Sequence, residues 1–306
     1  MMMQPRIGAW SLACLGLSMV VSLGVAARRP ADDRGGVLYL TLAPDVEYAK
    51  GAKYCGRSAH PSPEESIVSG GTSPKPQIAY LMAAWPDSAK PELGAVTFGI
   101  RYSDEIEILR WGVCQNVLQA GTADWPSSGE GMAIAMAGHI DSSRVVELGW
   151  FAIIAPAPGK IELIPHPNPQ FASRFATARI PQESPIADLG VLGFGVEGRV
   201  PVMDWPGPKI GAACIRDSVC AMLTEMEAGY YGSDAVWFGA GTICTWELCQ
   251  PDAALGACCF PDGACERLRH RDCLIRKGDF QGEGSRCLPN NPCVASPEEP
   301  AEGEGK

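Results

Sequence analysis

The 306-residue chain is short of histidine, with four in all, and short of positive charge. Its 25 Lys and Arg stand against 35 Asp and Glu, a formal net charge of −10 at pH 7. That balance argues against a nucleic-acid partner, whose phosphates are held by clustered cations, and against binding to anionic membranes. No H-E-x-x-H, G-x-S-x-G or glycine-rich phosphate loop occurs, so zincin chemistry, hydrolase acyl transfer and P-loop nucleotide binding have no support. No C-x-x-C pair occurs, which removes a thioredoxin-like redox pair. A long amphipathic helical pattern is also missing, so helical bundles are excluded.

What the chain does have is cysteine, 13 residues, and a front end that indicates where they work. Arg6 precedes an apolar stretch from Ile7 to Val25, and the small residues Ala26 and Ala27 give way to Arg28, Arg29 and Pro30. This is the order of a secretory signal, with cleavage expected after Ala27. A membrane-spanning helix is the competing reading; Gly16, Gly24 and the small-residue exit favour cleavage. "SLAC", ending at Cys14, has serine where a lipoprotein signal wants leucine. The signal, residues 1–27, would take Cys14 with it and leave an even number of cysteines in an oxidising space. Disulfides become the default reading, with a secreted or cell-surface location and no membrane span after cleavage.

The tail is a duplication. "GAACIRDSVC" (211–220) lies over "GACCFPDGAC" (256–265), and "WFGAGTIC" (237–244) over "FQGEGSRC" (280–287). Ten positions match, including Cys214, Cys220, Cys244 and Cys249 with Cys259, Cys265, Cys287 and Cys293, and Asp217 with Asp262. Such self-similarity marks a repeated module, over 210–250 and 256–294. The first copy has Ala213 and Ala228 where the second has Cys258 and Cys273. Two cysteines lost together point to a Cys258–Cys273 bond. The other four cysteines of each copy leave three connectivities open. The reading preferred here joins first to third and second to fourth: Cys214 to Cys244, Cys220 to Cys249, Cys259 to Cys287 and Cys265 to Cys293. Zinc is the competing account. It lacks a C-x-x-C pair or a histidine at ligand spacing, and adjacent Cys258 and Cys259 suit two bridges better than one tetrahedron. Modules of this size bury too little surface to stand alone, so the bridges substitute for a core. Thr224 followed by Glu227 has capping-box spacing and predicts a short helix stopping near Gly229.

The pattern "GACCFPDGAC…C…FQGEGSRC…C" resembles the GACC-type cysteine-rich repeat found, often in tandem, near the C-termini of large secreted proteins of environmental bacteria. The resemblance implies a bacterial, exported, modular protein and no activity. The first copy departs from the pattern at Ala213 and Ala228.

Residues 37–204 read as a mainly β domain. Short apolar or alternating runs such as "VLYLTL", "GAVTFGIRY", "VVELGWFAII" and "KIELI" are separated by Pro, Gly, Ser and Asp. In "VTFGIRY", Val96, Phe98, Ile100 and Tyr102 share one face and Thr97 and Arg101 the other. The predicted architecture is a β-sandwich followed by two small disulfide-rich modules with little regular structure. Cys55 and Cys114 are the only cysteines in this region and are paired. The strand order and the run Trp111 to Cys114 resemble sandwich domains of bacterial surface proteins, including the cohesin-like group, which implies a fold and no function.

Candidate chemistry is thin. "GHIDSS" sets His139 near Asp141 and Ser142, which reads better as a turn than as a hydrolase site. Asp104, Glu105 and Glu107 gather carboxylates, without the spacing of a calcium loop. His60, His166 and His270 fall in no ligand pattern. Three Trp-Pro dipeptides, Trp85-Pro86, Trp125-Pro126 and Trp205-Pro206, lie between predicted strands. The preferred reading is that these indoles plug an end of the sandwich or a domain boundary; in the alternative, Trp85 and Trp125 are the candidate ligand-binding residues, as loop indoles that would stack on sugar rings. Copy two carries Arg267, Arg269, Arg271, Arg276 and Lys277 where copy one has Glu225, Glu227 and Asp234. This suggests docking of the copies through opposite charges, or contact of copy two with an acidic cell-wall polymer. Residues 295–306 are acidic and Pro- and Gly-rich, the composition of a disordered tail. The expected function is a non-catalytic extracellular or cell-surface interaction protein with no metal and no cofactor. Its partner is another protein or a cell-envelope polysaccharide. Carbohydrate binding through the Trp-Pro loops is the alternative, an unseen enzyme site comes third, and the sequence leaves oligomeric state open.

Overall fold

A computed structural model describes residues 33–293 except 60, 115–116, 137–141, 179–181, 205–206, 217, 246–247, 251–254 and 290. The signal, His60, His139, Asp141, Trp205, Pro206, Asp217 and the acidic tail lie outside the described residues.

The apolar runs form strands. In order they are β1 (Val37–Glu47), β2 (Ser69–Gly70), β3 (Ser73–Ala84), β4 (Leu93–Tyr102), β5 (Glu107–Val113), β6 (Val117–Gly121), β7 (Gly131–Met136), β8 (Val145–Ala155), β9 (Gly159–Ile164), β10 (Arg174–Thr177), β11 (Glu183–Pro185) and β12 (Val191–Phe194). One antiparallel sheet has the order β1-β3-β8-β5. The other runs β11-β10-β4-β9-β12-β2, with β7 also on β4 and β6 on β7. The period-two pattern decides which side chains fill the space between them: Leu38, Leu40 and Leu42 of β1 meet Val96, Phe98 and Ile100 of β4 in one buried cluster.

The opposite face of the first sheet is also buried. Tyr39, Ile78, Tyr80 and Met82 form a second cluster with Tyr54, which belongs to the segment between β1 and β2. That segment is a strap. The Tyr39 hydroxyl donates to the Pro61 carbonyl at 2.6 Å and the Tyr80 hydroxyl to that of Tyr54 at 2.9 Å. Burial, with the Glu147 charge adding, pushes the Tyr80 phenol up to about 12, so it stays a donor at all ordinary pH. The Glu147 carboxylate, buried on β8, accepts from the Gly56 and Ser58 N–H groups at 2.7 and 3.1 Å. The Cys55–Cys114 disulfide, Cα–Cα 5.4 Å, fastens the strap beside it.

Each module holds a three-stranded sheet and one short helix. The first comprises β13 (Ile210–Ile215), β14 (Val219–Thr224), α1 (Glu225–Tyr230) and β15 (Ala235–Trp237), in sheet order β14-β13-β15. The second comprises β16 (Gly256–Cys259), β17 (Cys265–Leu268), α2 (His270–Ile275) and β18 (Asp279–Glu283), in order β17-β16-β18. Thr224 and Glu227 form the capping box at α1.

The structure joins Cys258 to Cys273, but it corrects the remaining connectivity. The bonds are Cys214–Cys249 and Cys220–Cys244 in copy one, and Cys259–Cys293 and Cys265–Cys287 in copy two. They run first to fourth and second to third, nested rather than crossed. Cys214 faces Cys220, and Cys259 faces Cys265, directly across the hairpins, so either third-cysteine partner was within reach. The return path decides. After β15 the chain runs beside Ala212, with Ala212 N–H donating to the Thr242 carbonyl, and Cys244 reaches the outer strand first. It then folds back, burying Leu248 and Cys249 with Ala212 and Cys214 on the central strand.

Three of the charges considered for pairing between the copies are engaged elsewhere. Glu227 bonds Arg174 of the sandwich, Asp234 bonds Arg216 of its own copy, and Arg276 bonds Glu266 of its own. An apolar contact joins the copies: Leu274 of α2 packs against Ala212, Cys214, Leu248 and Cys249.

Candidate interaction surface

The most constructed surface lies where the sandwich meets the first module. Thr97, on the outward face of β4, donates its hydroxyl to the Phe171 carbonyl at 3.1 Å and accepts from the Arg174 N–H at 3.1 Å. Between those two anchors the chain turns through Ala172, whose φ of 46° lies in the left-handed region that non-glycine residues seldom occupy. The turn aims Ser173 and Arg174 at the start of α1. Glu227 Oε1 accepts from Ser173 N–H at 2.8 Å and from Arg174 Nη1 at 2.5 Å, while Oε2 accepts from Thr224 N–H at 2.7 Å. Two further guanidinium donors reach backbone carbonyls, Nη1 to Ser173 at 3.0 Å and Nη2 to Met222 at 2.6 Å. Both side chains are almost fully buried, 8% and 1% exposed for Arg174 and Glu227. One carboxylate therefore caps a helix and ties two parts of the chain together.

Apolar contact surrounds this pair. Ala172 of the sandwich is buried with Ala213, Leu223 and Ala228 of the first module. Ala213 and Ala228 occupy the places of Cys258 and Cys273 in copy two, so the copy that lost a disulfide is the one that packs its small side chains against a neighbour. Restoring the bond with Ala213→Cys and Ala228→Cys is expected to raise the unfolding free energy of the module by up to about 3 kcal/mol, as for closure of a loop of this length. Urea unfolding of the oxidised and reduced double variant measures it; a bridged protein no more stable than its reduced form would contradict the placement.

Beside the pair lies an open groove of about 300 Å³, walled by Phe171, Pro185, Ile210, Ala221 and Met222, with Arg174 contributing to the lining. Phe171 is 53% exposed and Ile210 38%. Two histidine and tyrosine groups stiffen the loop below. The Tyr231 hydroxyl donates to the His166 carbonyl at 3.1 Å, and the His166 ring packs edge-on against Phe171. Burial holds the His166 imidazole below its ordinary value; burial, with the Glu227 charge, raises the Tyr231 phenol.

The sequence-selected ligand residues are elsewhere. Trp85 is buried in the inter-sheet core, 2% exposed, packed on Phe175, with its indole N–H donated to the Asp33 carbonyl at 2.9 Å. Alternation explains it, because Leu81, Ala83 and Trp85 share the inward face of β3 and its continuation. Trp125 is part-buried at the end of the sandwich, with Phe98, Trp111 and Phe151 set at steep angles to its ring. Trp85 therefore has no free face for a sugar ring, while Trp125 keeps part of its surface exposed. Asp104, Glu105 and Glu107 are exposed, as is Ser142. Among the described residues, the clusters with metal-ligand proximity are Cys259, Cys265 and Cys293, and Cys55, Cys114 and Glu147. Every cysteine in them is in a disulfide and has no thiolate to offer.

No family model matches the chain, and no curated protein matches it. Among solved structures it is similar to a cohesin module of a family 33 glycoside hydrolase from Clostridium perfringens, at 8% identity over 52% of this chain and 95% of that one, TM-score 0.34. A type I cohesin from Clostridium thermocellum in complex with its dockerin matches at 9% identity over 54% and 98%, TM-score 0.32. A type II cohesin domain from Acetivibrio cellulolyticus matches at 7% identity over 55% and 96%, TM-score 0.32. Cohesin modules are thus among the structures that the chain resembles. Likeness at this level says nothing about what this chain binds.

Proposed function

We propose that the protein is exported and acts without catalysis, as an extracellular or cell-surface interaction protein. In this reading residues 1–27 are a removed signal, 37–204 a binding sandwich, 210–250 and 256–294 stapled modules, and 295–306 a tail. The junction groove carries the proposal. A buried ion pair fixes its walls, and an exposed phenylalanine and isoleucine line the concavity. The partner favoured is a protein, since the exposed Phe171 and Ile210 beside Gln170 and Glu183 suit a mixed peptide surface and Trp85, one of the two candidate sugar platforms, is packed away. Disulfides between cysteines that hold little core of their own support a life in an oxidising space.

The test is retention of the natively purified chain on cell envelopes and secreted material of the producing organism, with Phe171→Asp beside it. Retention that protease treatment of the envelope removes, that periodate leaves, and that falls at least about tenfold with Phe171→Asp is expected. Retention removed by periodate and unaffected by the substitution would transfer the function to polysaccharide binding.

A further inference from the structure

Open strand edges are where a sheet protein recruits more chain, and all but one of the large-sheet edges here are blunted. β5 carries Glu107 and Arg110 with a bulge between Ile108 and Arg110. β11 is three residues long and ends at Pro185, and β2 has two residues. The outer side of β1 is taken by the segment at Leu189. β6, with the sequence VLQAG, has no charge, no proline and no bulge, and its register with β7 is unbroken from Val117 to Gly121. Among the described residues no strand pairs with its other side. Leu118 is 70% exposed on it. Natural edges without such guards are templates for added strands.

The direction of its free groups can be read. The Thr122 N–H donates to the Gly131 carbonyl, so in the alternation of an antiparallel ladder Leu118 and Ala120 turn their main-chain groups to β7. Val117, Gln119 and Gly121 turn theirs outwards. The segment is also complementary to itself. About a two-fold axis at Gln119, an antiparallel β6 sets Val117 against Gly121, Leu118 against Ala120, and Gln119 against Gln119. Large faces small on both sides of a central amide pair.

We propose that β6 is a self-association edge, onto which a second copy of this chain adds its own β6, antiparallel in that register, to make one continuous sheet across the pair. The outward groups of three residues on each strand give up to about six main-chain bonds. A strand this short buries little area, so the association is weak and concentration-dependent.

Sedimentation velocity on the intact oxidised chain over about a hundredfold range of concentration tests it. Wild type is expected to pass from monomer to dimer. Gln119→Pro removes an outward N–H while leaving the bonds to β7, and Leu118→Lys sets two ammonium groups beside the axis; each is expected to weaken association at least about tenfold. Leu118 is exposed, so Leu118→Lys keeps the test decisive if the proline variant unfolds. Wild type that stays monomeric at the highest concentration, or a dimer that Leu118→Lys leaves intact, would overturn the proposal, as would pairing with a foreign protein alone.

Discussion

Glu227→Ala is expected to lower the stability of the chain by about 3–5 kcal/mol, the range for stripping one partner from a buried ion pair. Arg174 would keep its charge at 8% exposure with only the Ser173 and Met222 carbonyls to hold it. Ser173 and Thr224 would each lose the acceptor of a buried N–H, and α1 its capping box. Glu227→Gln keeps one acceptor oxygen for these N–H groups but sets its NH2 against the other and removes the charge, so it is expected to cost less than Glu227→Ala but not to be neutral. Because the pair is buried, raising the salt concentration should leave its contribution largely intact, unlike a surface bridge. Urea unfolding of the three proteins measures the losses, and limited proteolysis reports whether the chain between β12 and β13 becomes cleavable. A loss under about 1 kcal/mol for Glu227→Ala would mean that the junction is held by other contacts.

Replacing Cys55 and Cys114 together by serine is expected to cost about 4 kcal/mol, the chain-entropy figure for the 59-residue separation that the bond spans. The loss is structural as well as entropic. The strap covers Tyr39, Ile78, Tyr80 and Met82, and without the bond it is held by the packing of Tyr54, the Glu147 carboxylate and hydrogen bonds to the tyrosine hydroxyls and to β1. Near-ultraviolet circular dichroism should lose the signal of Tyr54 packed on Trp150, whose ring centroids are 4.5 Å apart, while the five disulfides of the modules stay closed. Unchanged spectra and an unchanged urea midpoint would show that the strap needs no fastening.

Much of the architecture was legible in patterns that physics makes local. Strands announce themselves by alternation, and the face carrying Val96, Phe98 and Ile100 is the buried one. The Cys258–Cys273 bond followed from a paired absence, since two alanines in one copy mark two sulfurs joined in the other. The short helix at Glu225 was written in its capping residues. What depended on chain path was not legible. Nested and crossed bridges use the same spacings, and only the return past Ala212 separates them. Arg174 and Glu227 lie 53 residues apart with no periodic signal linking them. Glu227 was visible as a cap, but its second oxygen carried no mark of a distant arginine. Trp85 plugs the core, as the inward alternation of Leu81 and Ala83 before it implies, and the proline after it does not turn the indole outward.

The opening stretch of copy two, three cysteines in ten residues, is reconciled by the fold: Cys258 points to α2 while Cys259 and Cys265, side by side on a hairpin, take Cys293 and Cys287. The close packing of sulfur serves a small three-stranded sheet with few apolar side chains to hold it. Among the described residues every cysteine is in a disulfide, so these sulfurs brace the scaffold.

The most direct measurement is peptide mapping of the natively purified protein by mass spectrometry without reduction. The expected spectrum contains the cross-linked pairs 55–114, 214–249, 220–244, 258–273, 259–293 and 265–287, with no alkylated cysteine among them. Free thiols across the modules, or an ion bound by them, would contradict the reading of these cysteines as the bracing of an exported scaffold.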